Sequence, residues 1–306
     1  MRKAAVFDIG SVSVKMIVAE EQAGGGFVPL LERARVTRLG EGLAGRTDFL
    51  PAAVDRTLEA VSEFAAEAAA LGAEEMEALG TEALRRVADP GAFARELALR
   101  TGILLKVIEP GAEARLAFLS ACALVPEREK PLCIVDVGGG STEILSGEGG
   151  LPGARALLPI GALRLKEACC IATDSPGWAE ISSMRKVVAD LAERHSSGMS
   201  CSRLVGMGGT IMVLASVLRG EPLFEPERLH GSTLSLEGAR SVISLLSGLS
   251  PSERASVKGL PADRADLALP GAVIVEGVMT RLGVSGLLAS AWGIRHGRMA
   301  ELFKSA

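Results

Sequence analysis

The sequence predicts an α/β protein made of two domains with a shared plan, and three observations carry that prediction. First, an order of apolar residue, Asp, apolar residue, Gly and small hydroxyl residues occurs at Phe7–Ser13 (FDIGSVS) and again at Val135–Ser141 (VDVGGGS), 128 residues later. Second, each copy lies in a pair of β runs joined by a turn, and each opens a half of similar length. Third, strand and helix patterns alternate after each copy, as they do in sheets flanked by helices. At 306 residues and 48% hydrophobic content, the chain is long enough to build two cores.

The elements follow in order. Lys3–Gly10 and Val12–Glu20 read as strands around a Gly-Ser turn, and Phe27–Leu39 reads as a third strand. The Gly-rich loop Leu39–Leu50 (LGEGLAGRTDFL) precedes Pro51, which opens a long helical run closed by Gly72. Strand Met76–Gly80, helices Thr81–Ala88 and Pro90–Gly102, strand Ile103–Glu109 and helix Gly111–Leu124 complete the first half. The polar, proline-bounded stretch Val125–Pro131 marks a boundary, so the domains are expected at 1–124 and 125–306, with a last helix near 294–306 packing back onto the first. In the second half, the hairpin Leu132–Leu145 is followed by helices near 161–170 and 176–195, strand Arg203–Met207 and a helix from Gly209. A long helix near 262–283, strand Gly286–Ser290 and helix Ile294–Phe303 finish the chain.

Composition narrows the function. The formal charge is -4, without long runs of either sign, so general attraction to nucleic acid or to membrane surfaces is not expected. The N-terminal apolar stretch is broken by Asp8, and no run approaches the length of a spanning helix, so the expected location is cytoplasmic. Five cysteines (Cys122, Cys133, Cys169, Cys170, Cys201) lack CxxC spacing and read as buried free thiols. Three histidines far apart in sequence give no zinc-type spacing.

The order of carboxylate and then glycines at Asp136–Thr142 carries the chemistry. Glycines that adopt positive φ let successive amides point into one space, and such nests bind phosphate. The Ser141 and Thr142 hydroxyls add donors there. A carboxylate beside a phosphate is repulsive unless a hard divalent cation bridges them, which points to Mg²⁺. A third Gly turn, Val205–Thr210 (VGMGGT), lies between a strand and a helix. Three phosphate-compatible turns on one chain indicate a nucleotide or polyphosphate ligand.

These residues also carry a family resemblance. DIGSVSVK, DVGGGSTE and GMGGT resemble the phosphate-1, phosphate-2 and adenosine motifs of the actin and sugar kinase superfamily. Within it the chain resembles the Ppx/GppA family of exopolyphosphatases and guanosine pentaphosphate phosphohydrolases. The further matches GTEALRRVAD, GAEARL, LPIGALRLKE, LHGSTLSL, RADLALPGAVIVEGVMTRLG and WGIRHG extend from residue 6 to about 299.

The resemblance implies two ribonuclease H-like (actin-like ATPase) domains, each a mixed β-sheet flanked by helices, with a cleft between them. It implies Glu113 as the base for water and Arg85, with Arg86 as its neighbouring alternative, as the phosphate-holding arginine. Asp8, Asp136 and Glu143 become ligands of Mg²⁺ or Mn²⁺, with Asp136 and Glu143 also in the catalytic set. Phosphate binding falls to Ser11, Ser13, Lys15, Gly138, Gly139, Gly140, Ser141, Thr142, Gly208, Gly209 and Thr210. The implied substrate is polyphosphate or the 5′ γ-phosphate of guanosine pentaphosphate, and a homodimer is the family habit.

Three departures from the family pattern stand out: Val12 in place of Asn, Ala112 and Pro110 in the loop before Glu113, and His296 in place of an acid. The chain ends just after RHGRMAELF, so it is expected to be a short form without the helical C-terminal domain of longer members. Two other readings remain at this level: an ATP-dependent kinase or ATPase of the same superfamily, and a polyphosphate- or alarmone-binding sensor that does not turn its ligand over.

Overall fold

The first apolar run forms a strand because both of its faces are covered. In the computed structural model, which describes residues 1–23, 26–125, 131–148, 151–169, 176–221 and 224–304, this is β1 (Lys3–Ile9), nearly all buried. It pairs antiparallel with β2 (Ser13–Glu21), which pairs antiparallel with β3 (Phe27–Val36). Helix α1 (Pro51–Ala70) has Pro at its first turn, and its buried stripe includes Leu58, Val61 and Phe64. It ends where predicted: Gly72, at φ +81°, lets its own amide reach Ala69 O at 2.9 Å and the Ala73 amide reach Ala68 O at 3.1 Å.

Strand β4 (Glu75–Gly80), helices α2 (Glu82–Arg86) and α3 (Pro90–Thr101), strand β5 (Leu104–Val107) and helix α4 (Pro110–Leu124) follow. Strands β4 and β5 are parallel to β1, which gives the sheet order β3-β2-β1-β4-β5. Phe7, Ile9, Val14, Met16, Leu58, Val61, Phe64 and Leu97 form its core.

The second sheet starts with β6 (Leu132–Val137), β7 (Thr142–Glu148) and β8 (Leu151–Leu158), then helices α5 (Ala162–Ala168) and α6 (Trp178–His195). Strand β9 (Arg203–Met207), helices α7 (Gly208–Arg219) and α8 (Pro226–Leu229), strand β10 (Thr233–Ser235), and helices α9 (Leu236–Ser247) and α10 (Pro251–Arg254) come next. The expected helix near 262–283 divides into a 3-10 turn, Ala262–Arg264, and α11 (Ala265–Leu282). Strand β11 (Gly286–Ser290) and helix α12 (Ile294–Leu302) close the chain.

Taken from the β8 edge, the order β8-β7-β6-β9-β11 repeats β3-β2-β1-β4-β5 with the same parallel and antiparallel senses; β10 is the added strand. The repeat extends to register. Asp8 lies opposite Lys15 and Leu79, and Asp136 lies opposite Glu143 and Met207, each residue 128 positions after its counterpart.

The chain divides into Met1–Ser120 together with the segment from Ile294 (unit 1), and Ala121–Gly293 (unit 2). The division falls inside α4, because its first turns bury Leu116, Ala117 and Phe118 in unit 1 before the helix runs on. Of the segment Val125–Pro131, residues 126–130 lie outside the described residues, as does Cys170. The other four cysteines are free thiols, and only Cys133 is fully buried. Helix α12 packs on β1 and β2 within unit 1. A Cβ on Gly297 would come 2.0 Å from Leu116 O, so that contact admits only hydrogen.

Five elements escape the sequence patterns: the four-residue helices α8 and α10, and β8, β10 and α9. Strand β8 is an exposed edge strand carrying Pro152 and Gly153, the two residues that demote a strand reading, and β10 has only three residues. Helix α9 did leave a signal. Ser235 caps it by accepting from the Gly238 amide at 2.9 Å, and Leu236, Ala239, Val242, Ile243 and Leu246 keep helical spacing.

Candidate active site

In unit 1 the β1–β2 turn is closed by the Gly10 amide donating to Ser13 O at 3.1 Å. The paired register puts Lys15 Nζ 4.0 Å from the Asp8 carboxylate. Burial pushes the Asp8 carboxyl above its ordinary range, while Lys15 and Arg295 pull it down. Ser11 and Ser13 are both buried, but the Ser11 hydroxyl donates to Glu82 Oε2 at 2.7 Å instead of remaining open to a phosphate. Arg86 holds the other oxygen of Glu82 at 3.3 Å and also donates to Leu43 O, which makes it a loop tether.

Its neighbour Arg85 reaches the other predicted residue, Glu113. Strand β4 ends at Gly80, and α2 then aims Arg85 across the sheet toward the C-terminal end of the parallel β5. There one nitrogen of Arg85 donates to Ile108 O at 2.8 Å and to Glu113 Oε2 at 2.7 Å. Glu113 stands in the first turn of α4, where the helix dipole favours an acid. Both side chains are largely withdrawn from water, 16% and 15% exposed, so the pair is partly desolvated and oriented.

In unit 2 the matching turn is closed by the Gly138 amide donating to Ser141 O at 3.0 Å. Here the structure corrects the sequence reading. Gly138, Gly139 and Gly140 are not among the described glycines with positive φ, so left-handed backbone is not what the turn requires, and at Gly138 the constraint is space. A Cβ on Gly138 would sit 3.2 Å from Ser141 O, and one on Gly161 would lie 2.4 Å from the Gly139 carbonyl carbon. Thr142 is corrected too: it is fully buried and its hydroxyl donates to Ile160 O at 2.7 Å, so it braces the turn and is not a free phosphate donor.

Positive φ occurs at the third turn instead. Gly208 has φ +86°, and a Cβ there would lie 2.5 Å from Asp136 Oδ1, so only glycine lets the carboxylate and this turn share the space. The Thr210 hydroxyl donates to Val137 O at 3.0 Å, tying the third turn to the second hairpin. Sequence reasoning missed Arg264, whose guanidinium lies so close to Gly209 that a Cβ there would be 2.3 Å from Nη1. It opens the family-like stretch RADLALPG, but no role was read for it there, because 55 residues of chain separate it from Gly209.

The metal assignment divides between the units. Asp136 and Glu143 are directly opposite each other on β6 and β7, so their carboxylates share a face of the sheet, with Arg155 3.5 Å from Glu143. Two carboxylates supplemented by phosphate oxygens and waters are a donor set that Mg²⁺ accepts. Among the described residues no group of three or more His, Cys, Asp or Glu gathers, and Asp8 is a unit 1 residue beside Lys15. Asp136 and Glu143 therefore fit a substrate-completed cation better than a closed protein cage.

A family model described as the Ppx/GppA phosphatase family matches residues 17–306. Exopolyphosphatase 2 of Mycobacterium tuberculosis is 28% identical over 312 residues, covering 97% of each chain. Exopolyphosphatase 1 of the same organism is 27% identical over 296 residues, covering 95% of this chain and 86% of the relative. The crystal structure of the Aquifex aeolicus member of the Ppx/GppA family matches with a TM-score of 0.82 at 27% identity, covering 98% of this chain and 97% of that one. The family match and the exopolyphosphatase relatives make this two-unit, mixed-sheet chain a hydrolase of phosphoanhydrides. The chain belongs to the Ppx/GppA phosphatase family.

Proposed function

We propose that this protein is an exopolyphosphatase, releasing orthophosphate from the end of inorganic polyphosphate with Mg²⁺ or Mn²⁺. The observation that carries the reading is the Glu113–Arg85 pair at 2.7 Å. Arg85 engages one oxygen of the carboxylate, which orients the other to take a proton from water as it attacks the terminal phosphorus. The remaining N–H groups of Arg85, and Lys15, suit the negative charge on the transferred oxygens. In unit 2 the Gly138–Ser141 turn provides anion-binding space, and Asp136 with Glu143 would hold the cation. When bound, that cation would neutralise phosphate charge and polarise the terminal phosphoryl group.

The names of the two mycobacterial relatives favour polyphosphate. The terminal 5′ phosphate of guanosine pentaphosphate presents the same anhydride chemistry and is the second substrate to test. Phosphate release is measured from polyphosphate, guanosine pentaphosphate and ATP, with Mg²⁺ and with EDTA, for wild type and Glu113→Gln. The reading predicts release from polyphosphate that EDTA abolishes and that Glu113→Gln reduces about 10²- to 10⁴-fold, the usual range for a general base. Release from ATP alone would turn the assignment to a kinase or ATPase, and polyphosphate binding without release would turn it to a sensor.

A further inference from the structure

Two cysteines that stand far apart in the sequence meet in unit 2. Cys133 is the second residue of β6, and Cys201 lies two residues before β9, the parallel neighbour whose first residue pairs with Leu132. The Ser202 amide donates to Pro131 O at 3.1 Å, which draws the segment before β9 against the start of β6. The Cys133 thiol donates to Ser200 O at 3.3 Å, the carbonyl of the peptide bond that leads into Cys201, and it stands within hydrogen-bonding reach of the Cys201 sulfur. Both are free thiols.

Their surroundings differ. Cys133 is fully buried in the unit 2 core, whereas Cys201 is partly exposed and stands on the wall of a cavity of about 510 Å³, with Ser202, Arg203, Thr233 and Val284. The hydrogen bond with the Cys133 thiol pulls the Cys201 thiol below its ordinary value; burial opposes that shift, and hydrogen bonds with the Cys133 and Arg203 backbone support it. The same contact, and then burial, push the Cys133 thiol up. Cys133 by itself is the buried, inert kind of thiol, but Cys201 combines access with a thiolate-favouring environment, which is what reactive cysteines have in common. Residues 196–202, which carry Cys201, belong to neither helix nor strand, so the two sulfurs can close to bonding distance without displacing a strand.

We propose that Cys201 and Cys133 form a redox site at which a hydroperoxide is reduced and the two thiols are joined as a disulfide. The Cys201 thiolate attacks one peroxide oxygen. The S–O bond forms as the O–O bond breaks, and the leaving oxygen takes up the proton that Cys201 released, departing as water or an alcohol. Cys201 is then a sulfenic acid. The Cys133 sulfur attacks the Cys201 sulfur, the S–O bond breaks, and hydroxide leaves as water with the proton of Cys133. The two thiols together lose two electrons and two protons, and with hydrogen peroxide as the oxidant two waters form. The roles follow from access, since Cys201 lines the cavity and Cys133 is buried. This site is independent of the hydrolytic reading above.

The test treats the full chain with an equimolar amount of hydrogen peroxide, blocks the remaining thiols with N-ethylmaleimide under denaturing conditions, and maps the peptides by mass spectrometry. The wild type should lose two of its five thiols and yield a Cys133–Cys201 cross-linked peptide that dithiothreitol reverses. Unfolding in urea before the peroxide is added should abolish the selectivity for this pair. Cys133→Ala should leave Cys201 as a sulfenic acid that dimedone labels, and Cys201→Ser should give neither the cross-link nor a dimedone label on Cys133. The wild type carries the decisive measurement, so the outcome does not depend on how well either variant folds. A wild type that keeps all five thiols, or that is oxidised elsewhere while Cys133 and Cys201 stay reduced, overturns the proposal. A dimedone-reactive Cys201 in the wild type that never yields the cross-link overturns the disulfide step, and dimedone labelling of Cys133 in Cys201→Ser overturns the assigned order of attack.

Discussion

The two hairpin turns are built on one frame and loaded differently. In both, an Asp ends the first strand, a glycine amide closes the turn onto a serine carbonyl, and a returning segment with its own glycine packs on top. In unit 1 the residue opposite the Asp is Lys15; in unit 2 it is Glu143. The unit 1 turn is lined by Ser11, Val12 and Ser13, where unit 2 has Gly139, Gly140 and Ser141. A Lys opposite an Asp neutralises it locally, whereas in unit 2 the strands set two carboxylates face to face and the counter-charge to Glu143 comes from Arg155 at 3.5 Å. The duplication supplied two equal frames, and substitution left one with a Lys and the other with a Glu facing the Asp.

The largest effect separating the two frames should come from the glycines that pack on the turns. Gly161→Ala drives a Cβ into main chain at 2.4 Å and should cost about 3 kcal/mol in urea unfolding. Gly40→Ala brings a Cβ to 2.8 Å from Ser11 Cβ and 3.2 Å from Ser11 main chain, a milder overlap that no rotamer change relieves, and should cost about 1 to 2 kcal/mol. Equal costs would mean that the two returns are not packed as differently as their contacts indicate.

Next in size is an acid sensitivity of unit 1. Burial alone would raise the Glu32 carboxyl, but hydrogen bonds and charge from His296 and Arg295 take it down to about 2. A carboxylate depressed on folding contributes its full stability above its unfolded value of about 4.5 and loses it as pH falls toward 2. The contribution is on the order of 2 kcal/mol, and the urea midpoint should drop across that window. Glu32→Gln should flatten the drop; an unchanged acid limb would remove Glu32 from the account.

The smallest effect concerns the two neighbouring arginines. Arg86→Ala breaks the contacts to Glu82 and Leu43 O and should cost about 1 kcal/mol of stability with catalysis within a few-fold of wild type. Arg85→Ala should spare stability comparably but, on the proposed role of the Glu113–Arg85 pair, lower kcat at least tenfold. Reversed phenotypes would exchange their roles.

The repeat was legible because both of its landmarks, Asp8 and Asp136, are polar residues in apolar strands, and their spacing persists unchanged through the parallel strands to Leu79 and Met207. Glu113 and Arg85 were legible as residue types, but their pairing was not. They are 28 residues apart and meet only because β4 and β5 lie parallel in one sheet. The backbone of the glycine turn was misjudged because a glycine needed for space and one needed for positive φ are identical in sequence; Gly138 is the first kind and Gly208 the second. Hydroxyls misled for a related reason, since nothing local shows that Ser11, Thr142 and Thr210 find partners inside the fold. Cys133 and Cys201 read in sequence as separate buried thiols, and only the pairing of β6 with β9 brings them together.

The most direct test of the division between the frames is steady-state phosphate release from polyphosphate by Glu113→Gln and Gly208→Ala. The Glu113 variant should lose kcat about 10²- to 10⁴-fold with KM little changed, since it acts on the attacking water. The Gly208 variant, which forces a Cβ against Asp136 Oδ1 at 2.5 Å, should weaken substrate and cation binding and raise KM and the Mg²⁺ requirement. A Glu113→Gln enzyme that turns over at the wild-type rate would contradict the account, because no other carboxylate in unit 1 is held against Arg85 as Glu113 is, among the described residues.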